Sequence, residues 1–216
     1  MAAKESILVL CAHSDDQVFG VGGTLAKYAE EGKTSNVIVF SFGENSHPWL
    51  KKHIIVETRV QETDEAGKIL GIQENIFLGL KEGKFKSQLN QEGIEQQMKA
   101  YFKRFKPTKI FTHSPDDPHI DHREASAWVI GFCERNKFRG HVYGFNVWTP
   151  VTIKTRKLPE MVVDISATFG KKIKALRCFR SQWMAMLSLL WSVYWKAINN
   201  GRKHRMKYAE VFYKLR

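Results

Sequence analysis

The chain has 216 residues, 43% hydrophobic and 26% charged, which excludes disorder, collagen and coiled coil and suffices for one α/β domain with a full core. Its formal charge of +12 is unevenly placed: residues 167–216 hold twelve Lys/Arg and one acid, Glu210, a net +11, whereas residues 1–166 hold 22 and 21, a net +1. A uniformly basic protein is excluded.

In chain order, Met-Ala-Ala-Lys-Glu-Ser runs straight into the apolar stretch Ile7–His13, of strand length, and no cleavage site follows. No signal peptide is expected. Buried strands are expected at Ile7–His13, Asn36–Gly43, Asn75–Leu80, Lys109–His113 and Val142–Trp148, with a sixth at Met161–Ile165. Helical spacing falls between them, at Thr24–Glu31, Lys52–Leu70, Ile94–Phe105 and Arg123–Asn136; in the second of these Ile55, Arg59, Glu62 and Ala66 recur at three and four. Such alternation implies a parallel sheet covered on both faces. From Lys171 the pattern is mostly helical. Three scattered cysteines, Cys11, Cys133 and Cys178, form no Cys-x-x-Cys pair and argue against a disulfide framework. One domain, 1–216, is expected, with an α/β core over 1–166 and a basic, aromatic-rich helical extension over 167–216.

Two motifs carry chemistry. The first strand ends in His13-Ser14-Asp15-Asp16-Gln17, followed by Gly20-Val-Gly-Gly-Thr24. The carboxyl edge of a parallel sheet is where ligands bind. An imidazole and a carboxylate there suit zinc, and a second carboxylate can act as a base. Equally open is a structural role, with Asp16 capping the next helix and His13 a polar strand end. A dinucleotide fingerprint fits poorly, because two aspartates stand where a pyrophosphate needs positive potential.

The second motif, His113-Ser-Pro-Asp-Asp-Pro-His119-Ile-Asp121-His122-Arg123, also follows a strand. Three histidines and three aspartates in ten residues exceed what a turn requires. The spacing lets Asp121 hydrogen-bond one imidazole while another binds metal. The bland alternative is a polar loop whose aspartates cap a helix. Two His/Asp clusters on one sheet edge suggest a single metal site with three protein ligands and an open position for water.

These residues resemble the LmbE-like/PIG-L family of zinc-dependent de-N-acetylases. The family's Ala-His-Pro-Asp-Asp-Glu and Gly-Gly-Thr-Leu-Ala look like Ala12–Gln17 and Gly22–Ala26, and its His-Pro-Asp-His looks like His119–His122. Arg59, Glu62, Leu70-Gly71, Val163–Ser166, Lys174–Leu176, Ser181-Gln182 and Tyr208–Phe212 also fit, so the resemblance spans nearly the whole chain. Ser14, Gln17, Ile120, Phe179 and Glu82 depart from the pattern without removing an expected ligand or base.

The resemblance implies one Zn²⁺ per chain on His13, Asp16 and His122, with Asp15 taking a proton from water at the metal. A protonated His119, charge-supported by Asp121, would stabilise the acyl oxyanion, and Arg59 would reach the acyl or sugar end. The alternative for Arg59 is a surface pair with Glu62. His113 is open between a supporting donor and a turn role, and His47, His53, His141 and His204 are taken as structural.

The expected fold is α/β and Rossmann-like, a mostly parallel sheet with helices on both faces and a helical C-terminal extension. The expected function is a hydrolase freeing acetate and an amine from an N-acetylglucosamine-containing substrate. The alternatives are a metal-dependent sugar-nucleotide transferase, which leaves the second histidine cluster unexplained, and a basic nucleic-acid-binding module, for which no motif is present.

The longest uncharged stretch, Ser181–Trp195, has fifteen residues, short of the roughly 20 needed to span a bilayer. It is apolar on every helical face and precedes Arg202-Lys203-His204-Arg205. It suits a core or subunit interface (a homo-oligomer), or peripheral contact with an anionic membrane. The expected location is cytoplasmic, at most peripheral at the inner face of the membrane, with no nucleic-acid partner.

Overall fold

The computed structural model describes residues 5–44, 51–148 and 158–216. Seven strands form one sheet in the order β3-β2-β1-β4-β5-β7-β6. β1 (Ser6–Cys11), β2 (Thr34–Val39), β3 (Glu74–Phe77), β4 (Lys109–His113) and β5 (His141–Phe145) pair in parallel. β6 (Glu160–Asp164) and β7 (Ala209–Lys214) close the sheet, with β7 antiparallel to both β5 and β6. The helices are α1 (Asp16–Glu30), α2 (Lys52–Leu70), α3 (Phe85–Gln88), α4 (Glu92–Phe105), α5 (Ile120–Arg135), α6 (Phe169–Leu176) and α7 (Trp183–Lys203).

The alternation of β1 explains why its run is apolar throughout. Ile7, Val9 and Cys11 enter one core with α1, α6 and one side of α7, whereas Leu8, Leu10 and Ala12 enter the other with α4 and α5. Both faces are therefore covered, as a parallel sheet requires. All three cysteines are free and buried.

Two elements differ from expectation. α1 starts at Asp16 rather than Thr24, so the run Gly20–Gly23 lies inside a helix. A Cβ at Gly20 would collide with the Phe145 ring, and one at Gly23 with Ile165, so these glycines let the helix sit close against its neighbours. β7 was not signalled as a strand, and the segment after 166, helical through α6 and α7, ends inside the sheet. Glu210 on β7 is buried: it accepts from Gly23 N at 3.1 Å, from Thr24 N at 2.8 Å and from Lys172 Nζ at 2.6 Å, while Lys172 also donates to Phe19 O at 2.6 Å. A buried Lys–Glu pair thus ties the last strand to the backbone of the glycine run.

α7 also departs from the fully buried alternative. Leu189, Val193 and Ala197 face the core, but Trp183, Met184, Leu187, Trp191, Tyr194 and Trp195 are exposed. No helix among the described residues is long and apolar enough to cross a membrane.

Candidate metal centre and catalytic cleft

β1 and β4 are neighbours, so the loops leaving their carboxyl ends bring the two His/Asp motifs together. His13, Asp15 and Asp16 come from the β1–α1 junction, and His119, Asp121 and His122 from the β4–α5 junction. Pro115 and Pro118 keep the second loop out of helix until α5 begins at Ile120. A cleft of about 140 Å³ is lined by His13, Asp15, Asp16, Arg59, Glu82 and His119, with Trp148 and, from the α7 side, Gln182 and Leu189.

Three side chains converge, each imidazole facing a different oxygen of Asp16. His13 Nδ1 lies 3.3 Å from His122 Nε2 and 3.4 Å from Asp16 Oδ2, and His122 Nε2 lies 3.4 Å from Asp16 Oδ1. Ligands about 2.0–2.1 Å from a tetrahedral ion stand about 3.3–3.4 Å apart, a separation the two imidazole nitrogens match and each also has to one Asp16 oxygen. The other ring nitrogens are occupied. His122 Nδ1 donates to Asp117 Oδ1 at 3.0 Å, and His13 Nε2 faces Asp121 and Glu82, each at 3.5 Å. Such carboxylate support orients an imidazole and raises its basicity.

The electrostatics favour a cation. Against the opposing effect of burial, the Asp121 and Asp16 carboxylates push the His13 pKa up to about 10, and Asp16 and Asp117 push that of His122 up to about 9. Burial would raise Asp16, yet the His122 charge holds it well below the usual carboxylate range. Asp15 behaves oppositely: burial raises its pKa, aided by Asp16 and opposed by Arg59. The His/Asp cluster could therefore hold a metal ion. Two other groupings, His13–His119–Asp121 and His113–Asp117–His122, also bring donors together. The latter is wholly buried, and His113 Nε2 already accepts from Ala12 N at 2.9 Å.

Asp15 takes the N-cap position of α1 with no side-chain capping bond, and Asp16 Oδ2 accepts from His13 N at 2.7 Å, so the pair does more than cap the helix. Arg59 is 2% exposed and lines the cleft; its Nε and Nη1 have no hydrogen-bond partner among the described residues. The surface pair with Glu62 is not what forms, because Glu62 accepts from Ser181 N and Oγ, both at 2.7 Å.

The Asp121 carboxylate acts on His119 as a nearby charge, and among the described residues it makes no hydrogen bond to that ring. That carboxylate accepts from Gly83 N at 3.0 and 3.1 Å and faces His13, while only the Asp121 backbone N–H reaches His119 Nδ1, at 3.2 Å. With Nδ1 accepting, the neutral ring carries its proton on Nε2. Burial, with His122 and His13 nearby, lowers the His119 pKa, so its protonated form is disfavoured.

His113 is neutral, its pKa pushed down to about 4 by burial and by His122, on which it stacks at 3.9 Å between centroids. It joins the two strand ends rather than making a turn. His53, His141 and His204 are exposed, and His47 lies outside the described residues. The sequence pattern does not single out Asp117, which also accepts from His119 N at 3.0 Å and Val147 N at 3.3 Å.

A doubly covered, mostly parallel sheet with a His/Asp metal-type cluster at its carboxyl edge defines the class. Residues 8–133 match the PIG-L family, described as GlcNAc-PI de-N-acetylase, and the chain belongs to that family. It is 29% identical over 198 residues to the 4-oxalmesaconate hydratase of Pseudomonas putida, covering 83% of this chain and 74% of the relative. It is 23% identical over 196 residues to a probable N-acetyl-alpha-D-glucosaminyl L-malate deacetylase 2 of Bacillus cereus, covering 85% and 86%. The N,N'-diacetylchitobiose deacetylase of Pyrococcus horikoshii shares the fold, with a TM-score of 0.81 at 21% identity over 99% of this chain and 84% of that one.

Proposed function

We propose that the chain hydrolyses the acetamide of an N-acetylglucosamine-containing substrate, such as a GlcNAc-inositol lipid, a chitobiose-like sugar or a related conjugate. The observation that carries this is the convergence of His13 Nδ1 and His122 Nε2, 3.3 Å apart and each 3.4 Å from one oxygen of Asp16, beside a cleft that also holds a second carboxylate, Asp15. Family membership and the Bacillus cereus relative support the amide substrate.

One Zn²⁺ suits two imidazole nitrogens and a carboxylate, and on His13, Asp16 and His122 it would supply Lewis-acid polarisation and acidify water. Asp15 accepts the proton of the attacking water. Its burial favours the protonated product of that transfer, and the Arg59 charge opposes that effect. His119 donates from Nε2 to the oxygen that becomes negative as water adds to the acyl carbon. The C–N bond then breaks, Asp15 passes its proton to the amine, and acetate and a free amino sugar leave. Arg59 binds the substrate with its unpartnered guanidinium N–H groups. Asp121 acts by orienting His13.

One observation favours a second function, addition of water across a C=C bond: the 29% identical relative is a hydratase. Both reactions need an activated water and a base. Acetate release from free GlcNAc, diacetylchitobiose and a GlcNAc-inositol phospholipid, with and without chelator, beside hydration of 4-oxalmesaconate, decides between them. Chelator-sensitive acetate release from at least one sugar is expected. Hydration without any acetate release would overturn deacetylation.

A further inference from the structure

α7 buries one side and leaves the other bare. Leu187 is 70% exposed and Trp183 and Trp191 are each 58% exposed, with Met184, Tyr194 and Trp195 beside them. At 3.6 residues per turn these positions form one stripe along the helix. Arg202 lies five turns beyond Met184, so it continues the same azimuth, and exposed Arg180 stands just before the helix at the other end. Lys203, Arg205 and Lys207, also exposed, follow Arg202.

No acid offsets this charge within the segment. α7 contains none, and the only acid after residue 166, Glu210, is buried against Lys172. α7 meets the catalytic cleft through its other side: buried Leu189, with Gln182 just before the helix, forms part of the cleft wall.

We propose that this stripe docks α7 flat on an anionic lipid bilayer, with Trp and Leu side chains in the headgroup region and the flanking arginines and lysines on acidic headgroups. Exposed tryptophans beside clustered Lys/Arg match the chemistry of an interfacial helix. A second copy fits less well. A two-fold pairing of the stripe would set the Arg180 end of one copy against the Arg202 end of the other, opposing like charges relieved only in part by Glu65, which lies 3.8 Å from Arg180.

The docking is independent of the proposed deacetylation.

The test is flotation of the full chain with phosphatidylcholine vesicles, with and without phosphatidylglycerol, at low and high salt. Binding to anionic vesicles at low salt is expected, at least about tenfold weaker on neutral vesicles or at high salt. Leu187→Glu with Trp191→Glu is expected to abolish flotation while acetate release from a water-soluble N-acetylglucosaminide is unchanged. Arg180→Glu with Arg202→Glu, which leaves the apolar stripe intact, should weaken binding to anionic vesicles only. Absence of wild-type flotation on anionic vesicles would overturn the proposal. So would a dimer in light scattering that the Leu187/Trp191 variant dissociates while vesicle binding is nil in both. Flotation without acetate release from any sugar would leave docking standing and remove the deacetylase assignment.

Discussion

Asp117 Oδ1 accepts a hydrogen bond from His122 Nδ1 at 3.0 Å, and both side chains are fully buried. The bond fixes which ring nitrogen faces Asp16 and His13. Asp117→Asn should therefore weaken metal binding by about 10–100-fold, measured by competition with a chelating dye, with circular dichroism unchanged. Undiminished affinity would remove Asp117 from the support of the centre.

Arg59 is buried in the cleft wall with Nε and Nη1 unpartnered among the described residues. In the proposed role its bonds to substrate would be charge-assisted, each worth about 1.5–3 kcal/mol. Arg59→Met should raise KM by about ten- to a hundredfold, with a smaller change in kcat. Equal kinetics in the two proteins would make Arg59 structural.

The Lys172–Glu210 pair, 2.6 Å long and buried, holds β7 against α1. Removing one partner of such a pair costs about 3–5 kcal/mol, because the other charge is left uncompensated. Glu210→Ala should show that loss in urea unfolding. A loss within about 0.5 kcal/mol, as at ordinary surface sites, would mean the pair does not secure the strand.

Lys196 gives a pH signature. Its ammonium donates to the carbonyls of Asn146 and Val147, at 3.3 and 2.9 Å, and burial with Lys172 nearby lowers its pKa to about 8. An unfolded lysine titrates near about 10.4. Below pH 8 both states hold the proton and the burial penalty is fully present. Between pH 8 and about 10.4 the unfolded state binds a proton that the folded state has released, so this group favours folding more as pH rises. Urea unfolding of the wild type and Lys196→Met from pH 7 to 10 should show their stability difference shifting toward the wild type above pH 8. A constant difference would contradict the shift.

The fold was largely legible because its strongest signals are periodic. Ile55, Arg59, Glu62 and Ala66 predict α2, observed at Lys52–Leu70, and the continuous apolar run after Ser6 marks a strand buried on both faces. α1 was read as starting late because glycines favour loops in isolation, and only the approach of Phe145 and Ile165 shows why they sit in a helix. β7 was missed because Glu210 interrupts its apolar pattern, and its partners Lys172, Gly23 and Thr24 lie far away in sequence.

At the site, the density of His and Asp located the cluster. The direction each carboxylate faces depends on loop geometry that spacing does not encode. Asp121 therefore turned out to face His13, and Asp117 rather than Asp121 hydrogen-bonds an imidazole of the second motif. The apolar run of α7 showed that a surface was needed, but not which half of it the core would take.

The most direct test is Asp15→Asn, assayed for acetate release and metal content together. Asp15 lies in the cleft beside the donors His13, Asp16 and His122 and is not one of them. Both proteins should bind metal stoichiometrically, while acetate release by the variant falls by about 10²–10⁴-fold, the usual contribution of a general base. Near-wild-type acetate release with metal retained would contradict the assignment of Asp15 as the base.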